Sequence, residues 1–324
     1  MNKFLNSLKN FNNKLLVIIG PTASGKSDLA IEIAKKFNGE IISADSRQVY
    51  KGMDIGTGKV KIQKVKGKIY SEGIRHHLLD VAEPKEYFSV AQYQKLALEA
   101  IEDIQKRKKL PILCGGTGLY INAVIEGWQL PPTQPNLKLR QELEQFSPAQ
   151  LFEKLKSLDP KRTQNIDAHN KRRLIRALEI IAQNKTISPL KKVKPPWDIL
   201  ILGIKKDKNE LQELIKKRLL KRLDEGMIEE VKKLKEKGVS SQRLEDFGLE
   251  YRWINRYLEN KVMYEEMINS LYRDICRFAK RQMTWFIHQI FAKQNLDGSK
   301  NKKNTFWIKN TEEAIKLTTH FLAN

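Results

Sequence analysis

The sequence predicts an α/β fold, a parallel β-sheet flanked by helices with an inserted all-helical subdomain. Three observations predict it. Short apolar runs rich in β-branched residues alternate with longer stretches of helical period, the pattern of a doubly covered parallel sheet. Glycines stop two of those runs, at Gly20 and at Gly115-Gly116. Between about residues 126 and 196, helical periods continue with no convincing strand among them.

Residues 15–19 form the first run, a strand buried on both faces. Leu29, Ala30, Ile33, Ala34 and Phe37 recur at helical spacing and place a helix after it. Residues 40–44 read as the second strand. Residues 89–109 read as a long helix ending in a basic cluster, which the negative end of the helix dipole favours. Residues 110–114, 199–204 and 305–308 supply further strands, and residues 295–304, rich in Lys, Asn and Gly, read as a mobile loop. The helical stretch opens near Pro131-Pro132 and closes at Pro195-Pro196-Trp197, so stiff connections bound it. The expected division is a core of residues 13–125 and 197–324 around an insertion of residues 126–196.

The chain has 324 residues, of which 40% are hydrophobic, enough for one large domain or a domain with an insertion. Sixty Lys and Arg against 38 Asp and Glu leave a formal charge of +22, which favours a polyanionic partner over a neutral one. The plainer alternative is a solubilising lysine content. The two cysteines, Cys114 and Cys276, form no CxxC, which argues against a disulfide framework or zinc site and for a reducing compartment. No secretory leader or membrane-spanning run is read, so a soluble cytoplasmic protein is expected.

Gly20-Pro21-Thr22-Ala23-Ser24-Gly25-Lys26-Ser27 matches GxxxxGK[ST] in full, between a strand and a helix. That context predicts a P-loop, and with it a P-loop NTPase-like sheet. The glycines let successive N–H groups converge on phosphate oxygens, and the helix dipole adds positive potential. Lys26 supplies a charge, and Ser27 is placed to reach a magnesium ion. Asp45 follows the second strand and is expected beside this loop, since ligands gather at the carboxyl ends of parallel strands. The competing role is a turn cap. In the helix from Lys171, Leu174, Ala177, Leu178 and Ile181 form one apolar face, and Arg172 and Arg176 are expected exposed on the other. They are either a solvated charged face or contacts to nucleic-acid phosphates.

Longer blocks then give a resemblance. Asp45-Ser46-Arg47-Gln48-Val49-Tyr50-Lys51-Gly52-Met53-Asp54-Ile55-Gly56-Thr57-Gly58-Lys59 resembles the signature of tRNA dimethylallyltransferases, the isopentenyltransferase family, as does the GPTASGKS loop before it. His76-His77-Leu78-Leu79-Asp80, Gly115-Gly116-Thr117-Gly118-Leu119-Tyr120, the helix from Arg172 through Arg173 and Arg176 to Glu179, and Ala279-Lys280-Arg281-Gln282-Met283-Thr284-Trp285-Phe286 resemble further family blocks. They run in family order over about residues 15 to 288.

The resemblance implies prenyl transfer. The loop Gly20–Ser27 would hold the diphosphate of dimethylallyl diphosphate, with magnesium at Ser27. Lys26 and Arg218, which matches the family's arginine in RI-x-x-R, would stabilise the leaving diphosphate. Thr22 would touch it or its bridging oxygen. Asp45 would orient the N6 amine of the adenosine immediately 3′ to the anticodon and take its proton. tRNA, through its anticodon stem-loop, would meet Asp45, Ser46, Arg47, Gln48, Arg172, Arg173, Arg176, Tyr251, Arg252, Lys280 and Arg281, and the target base would flip out of its stack. A monomer is expected. The family pattern departs at Leu214, where it has arginine, at Arg222, where it has methionine, and at Leu249-Glu250, which reads as an insertion before Tyr251-Arg252. A P-loop kinase using ATP is the rival enzyme, and an RNA-binding protein without transfer chemistry the rival class.

Overall fold

The computed structural model describes residues 11, 13–130, 136–184, 191–291 and 304–324. Pro131-Pro132, most of the loop expected at 295–304, and the first ten residues therefore lie outside the described residues. The chain divides into two units, one running to Gly127 and resuming at Lys194, the other Trp128–Val193.

The first unit starts with β1 (Lys14–Ile19), α1 (Lys26–Phe37) and β2 (Gly39–Ser43). A short antiparallel set follows: β3 (Gln63–Val65), β4 (Lys68–Ser71) and β5 (Ile74–His77). Then come α2 (Val90–Lys106), β6 (Leu110–Gly115) and α3 (Gly118–Ile125). Ser89 caps α2 in a reciprocal capping box with Gln92, which fixes the start of that helix.

The second unit carries β7 (Trp128–Gln129), α4 (Leu137–Glu144), α5 (Pro148–Leu158), α6 (Pro160–Thr163), α7 (Lys171–Asn184) and β8 (Lys191–Lys192). Its own core is Leu143, Leu151, Leu155, Leu174, Ile175, Ala177, Leu178 and Ile181. Helices dominate it, but it is not wholly helical. β7 and β8 pair antiparallel, Trp128 opposite Lys192, into a ribbon too short to leave a periodic signal.

The first unit resumes with β9 (Asp198–Ile204), α8 (Lys208–Asp224), α9 (Met227–Glu236), α10 (Ser241–Phe247), α11 (Leu249–Leu258) and α12 (Tyr264–Phe286), which runs into a π-helical turn at Ile287–Phe291. β10 (Thr305–Ile308) and α13 (Thr311–Ala323) complete it. The sheet order is β10-β9-β1-β6-β2-β5-β4-β3, parallel from β10 to β5 and antiparallel beyond. Alternate residues of β1 enter different cores, as a strand's period of two requires. Leu15, Val17 and Ile19 pack with α2, α3 and the helices after β9, while Leu16 and Ile18 pack with α1 and α13. β1, central and covered on both faces, thus delivers its carboxyl end to a fixed point.

Candidate active site

β1 ends at Ile19, and the chain turns through residues 20–25 into α1. Gly25 has φ +86°, a left-handed conformation that a side chain would strain. No side chain caps α1, which leaves its leading N–H groups without a side-chain partner, and Gly25, Lys26, Ser27 and Asp28 line the cleft. Lys26 donates to the Pro21 carbonyl at 3.3 Å, which draws its ammonium back over the loop. Burial, reinforced by Arg218 and Arg222, holds that ammonium below the ordinary lysine value, although Cys114 and Asp45 pull the other way. Gln282 of α12, which also lines the cleft, ties the loop to Gly116. Its side chain accepts the Thr22 N–H at 2.8 Å and donates to the Gly116 carbonyl at 2.9 Å.

Asp45 stands two residues past β2. Its Oδ1 accepts the backbone N–H of Arg47 at 2.9 Å and of Gln48 at 3.3 Å. Oδ2 has no hydrogen-bond partner among the described residues, and Asp45 lines the same cleft as Thr22, Ser24, Lys26 and Ser27. The two roles weighed from sequence therefore coexist: one oxygen caps the turn, and the other is free for chemistry. The neighbours of Asp45 are committed to the protein. The Ser46 N–H donates to Thr117 Oγ1 at 3.0 Å, Gln48 accepts from Ser43 Oγ at 3.0 Å, and Arg47 pairs with Glu250 at 2.9 Å.

The cleft encloses about 760 Å³, and α8 lines it with Leu214, Arg218 and Arg222. Arg218 donates to the Gly58 carbonyl at 3.3 Å. Gly58 has φ +61°, and a Cβ there would overlap the guanidinium ends of Arg218 and Arg222. Burial, and then the neighbouring charge of Arg222, pushes Arg218 down to about 10, which leaves it protonated at neutral pH. The approach to Gly58 is itself fixed by Glu230, buried, which accepts the N–H groups of Asp54, Ile55 and Gly56 at 2.8, 2.6 and 3.1 Å.

Several expected RNA contacts are placed differently. Tyr251 has 0% of its surface exposed and donates to Glu230 at 2.8 Å, so its ring is core and no RNA contact is open to it. Arg252 pairs with Glu245 at 3.2 Å. Arg176 is half-buried and paired with Glu179, which also binds Arg140 at 2.8 Å. It is thus not the exposed twin of Arg172, because the fully buried Glu179 carboxylate needs its charge. Arg172 and Arg173 are exposed on α7, as are Lys280 and Arg281 on α12. Leu249 and Glu250, expected as an insertion, form the buried first turn of α11. His76 and His77 serve the sheet, His77 meeting the buried Glu40 at 2.8 Å.

Gln282, Arg222 and Glu250 are site residues that sequence reasoning did not assign. Gln282 and Arg222 sat inside recognised blocks, but nothing local marked their direction. Ser27, Asp28 and Asp45 offer only oxygen to the cleft, which suits a hard cation such as magnesium. Among the described residues no three acidic, His or Cys side chains converge, so such an ion would depend on substrate oxygens for most of its ligands.

The IPP transferase family model matches residues 48–289. The chain belongs to the IPP transferase family. It is 44% identical to a tRNA dimethylallyltransferase of Anoxybacillus flavithermus over 86% of this chain and 88% of that one. It is 40% identical to one of Acetivibrio thermocellus over 96% and 98%. Among solved structures it resembles the full-length tRNA isopentenylpyrophosphate transferase of Bacillus halodurans, at TM-score 0.66 and 37% identity over 96% of each chain. It also resembles a eukaryotic dimethylallyltransferase caught acting on tRNA, at TM-score 0.76 and 25% identity over 97% of this chain and 80% of that one. As an IPP transferase the chain is an enzyme of the transferase class, and none of these relatives is a kinase. No helix among the described residues is long and apolar enough to cross a membrane.

Proposed function

We propose that the chain transfers a dimethylallyl group from dimethylallyl diphosphate to N6 of the adenosine immediately 3′ to the anticodon in tRNA, releasing diphosphate. The observation that carries this reading is the pairing of a free carboxylate oxygen, Asp45 Oδ2, with a phosphate cradle in one cleft. A protein that only bound phosphate would need no such oxygen there.

The diphosphate lies on the backbone N–H groups of Gly25, Lys26 and Ser27 at the start of α1, against the Lys26 and Arg218 side chains, with the Thr22 and Ser24 hydroxyls in reach. The C1–O bond of the donor breaks and its electron pair leaves with the diphosphate. The N6 lone pair forms the bond to C1, and the amine proton passes to Asp45 Oδ2. Lys26 and Arg218 stabilise the charge that grows on the leaving group, where fixed cations in a water-poor site act most strongly. Ser27 would hold a magnesium ion, which would supply further positive charge to the leaving group. The anticodon stem-loop meets the exposed cations Arg172, Arg173, Lys280 and Arg281. The enzyme acts as a cytoplasmic monomer.

Nucleoside mass spectrometry tests the reading. Unmodified tRNA is incubated with the protein and either dimethylallyl diphosphate or ATP. A dimethylallyl mass increment on one adenosine beside the anticodon is expected with the first donor only. Consumption of ATP with no prenylated nucleoside would restore the kinase.

A further inference from the structure

Position 222 carries a guanidinium deep in the cleft. Arg222 is 8% exposed and lies one helical turn beyond Arg218 on α8. Its Nη1 donates to the Gly56 carbonyl at 3.4 Å and approaches Glu250 Oε1 at 3.5 Å, both long contacts. Its Nη2 is buried and has no hydrogen-bond partner among the described residues. Leaving a buried charged donor unpaired is costly, so native proteins seldom do so without a ligand or water to complete it. Only because residue 58 is glycine can this guanidinium approach that loop.

Glu250 is too heavily shared to satisfy it. The Glu250 carboxylate, 5% exposed, gives Oε2 to Arg47 at 2.9 Å and Oε1 to Arg222. One carboxylate therefore serves two guanidiniums, while Arg218 and Lys26 stand in the same lining. Arg222 and Glu250 are two of the places where the sequence departs from the pattern it resembles, and in the fold they are one unit.

We propose that Arg222 is a second guanidinium ligand of the donor's diphosphate, and that Glu250 is the residue that positions it. The excess of buried positive charge and the unpartnered Nη2 both call for a multiply charged anion with several acceptor oxygens. A diphosphate seated on the adjacent P-loop supplies them, and Arg218 and Arg222, one turn apart, would grip it from the side away from the loop backbone. An RNA phosphate has the same chemistry, and the experiment separates the two. The inference rests on the diphosphate reading of the cleft.

Binding of inorganic diphosphate to the full chain is measured by calorimetry for wild type, Lys26→Ala, Arg222→Met and Glu250→Gln, with tRNA affinity in parallel. Arg222→Met removes a buried donor that lacks a partner but leaves Glu250 with Arg47 alone, so a thermal melt run beside the binding separates loss of fold from loss of ligand. Its diphosphate Kd is expected to rise about ten- to a hundredfold, the range for a charge-assisted hydrogen bond, with tRNA affinity nearly unchanged. Glu250→Gln should raise the donor KM more than it lowers kcat, and its effect on diphosphate binding should shrink in the Arg222→Met background, since coupled residues are not additive. A merely structural role would give the same effect in both backgrounds. If Arg222→Met binds diphosphate as wild type does while Lys26→Ala loses it, the cleft reading stands and this inference fails. Loss of tRNA affinity alone in Arg222→Met would assign the guanidinium to RNA and also overturn it. If wild type binds no diphosphate, the cleft reading itself falls.

Discussion

The side chain of Gln282 accepts the Thr22 N–H at 2.8 Å across 260 residues of sequence. The phosphate loop is therefore clamped by the helix that also presents Lys280 and Arg281. Gln282 is buried, so losing either of its bonds strands a partner, at a cost of about 1–3 kcal/mol. Gln282→Glu keeps the acceptor for Thr22 but cannot donate to Gly116, whereas Gln282→Leu loses both. The donor KM should rise in the order wild type, Gln282→Glu, Gln282→Leu, measured by steady-state kinetics with saturating tRNA. An unchanged KM in Gln282→Leu would show the clamp to be irrelevant to the loop.

Lys26→Ala should separate catalysis from stability. Its side chain is partly buried, and desolvation holds its ammonium below the ordinary 10.5, so at neutral pH the charged lysine weakens the fold rather than supporting it. The melting temperature of the ligand-free variant should therefore not fall. Turnover should drop by about 3 kcal/mol of transition-state stabilisation, the usual size for one electrostatic donor. Differential scanning fluorimetry and single-turnover transfer check the two halves.

Arg172→Ala with Arg173→Ala should weaken tRNA binding and flatten its salt dependence by about one to two units, one for each RNA phosphate left without its arginine. Arg176→Ala should behave otherwise. It removes a partner of the fully buried Glu179 and should lower stability. Fluorescence anisotropy over a salt series, with thermal melts, distinguishes the pairs.

Acid stability should depend on Glu40. Burial raises its pKa, but hydrogen bonds from His77, Arg107 and Lys109 outweigh that and hold it well below the ordinary 4.5. The unfolded chain thus binds the proton first. The contribution is complete above that unfolded value and is lost as pH falls below it. In Glu40→Gln, denaturant stability should fall at pH 7 and depend less on pH between about 5 and 3 than in wild type.

What the sequence made legible was local. The strands β1, β6 and β9 read as near-continuous apolar runs because both faces are covered, β2 shows only Ile41-Ile42 between the buried polar Glu40 and Ser43, and β10 falls where its apolar run puts it. β3 to β5 escaped notice: the residues of β3 are all exposed, and a Lys-rich edge hairpin has no apolar period to detect. The P-loop and Asp45 were legible because their geometry is set within a few residues. The Gln282–Thr22 clamp and the Arg222–Glu250 pair depend on helices that are distant in sequence, and direction toward a cleft is not encoded in residue type. Tyr251 shows the converse. Its motif suggested an RNA contact, but a phenol bonded to a buried carboxylate is core.

Asp45 carries the proposed transfer chemistry. Asparagine at this position keeps an oxygen for the Arg47 and Gln48 N–H groups, so the turn cap should survive and the melting temperature should stay near wild type. It cannot take the amine proton as a carboxylate does. Single-turnover transfer from dimethylallyl diphosphate to tRNA by Asp45→Asn, run beside a thermal melt and diphosphate binding, is the decisive measurement. A rate reduced by about two to four powers of ten, with diphosphate affinity and melting temperature held, is the predicted result. A wild-type rate per folded molecule with a melting temperature several degrees lower would make Asp45 a turn cap only, and would leave the proposed transfer without its base.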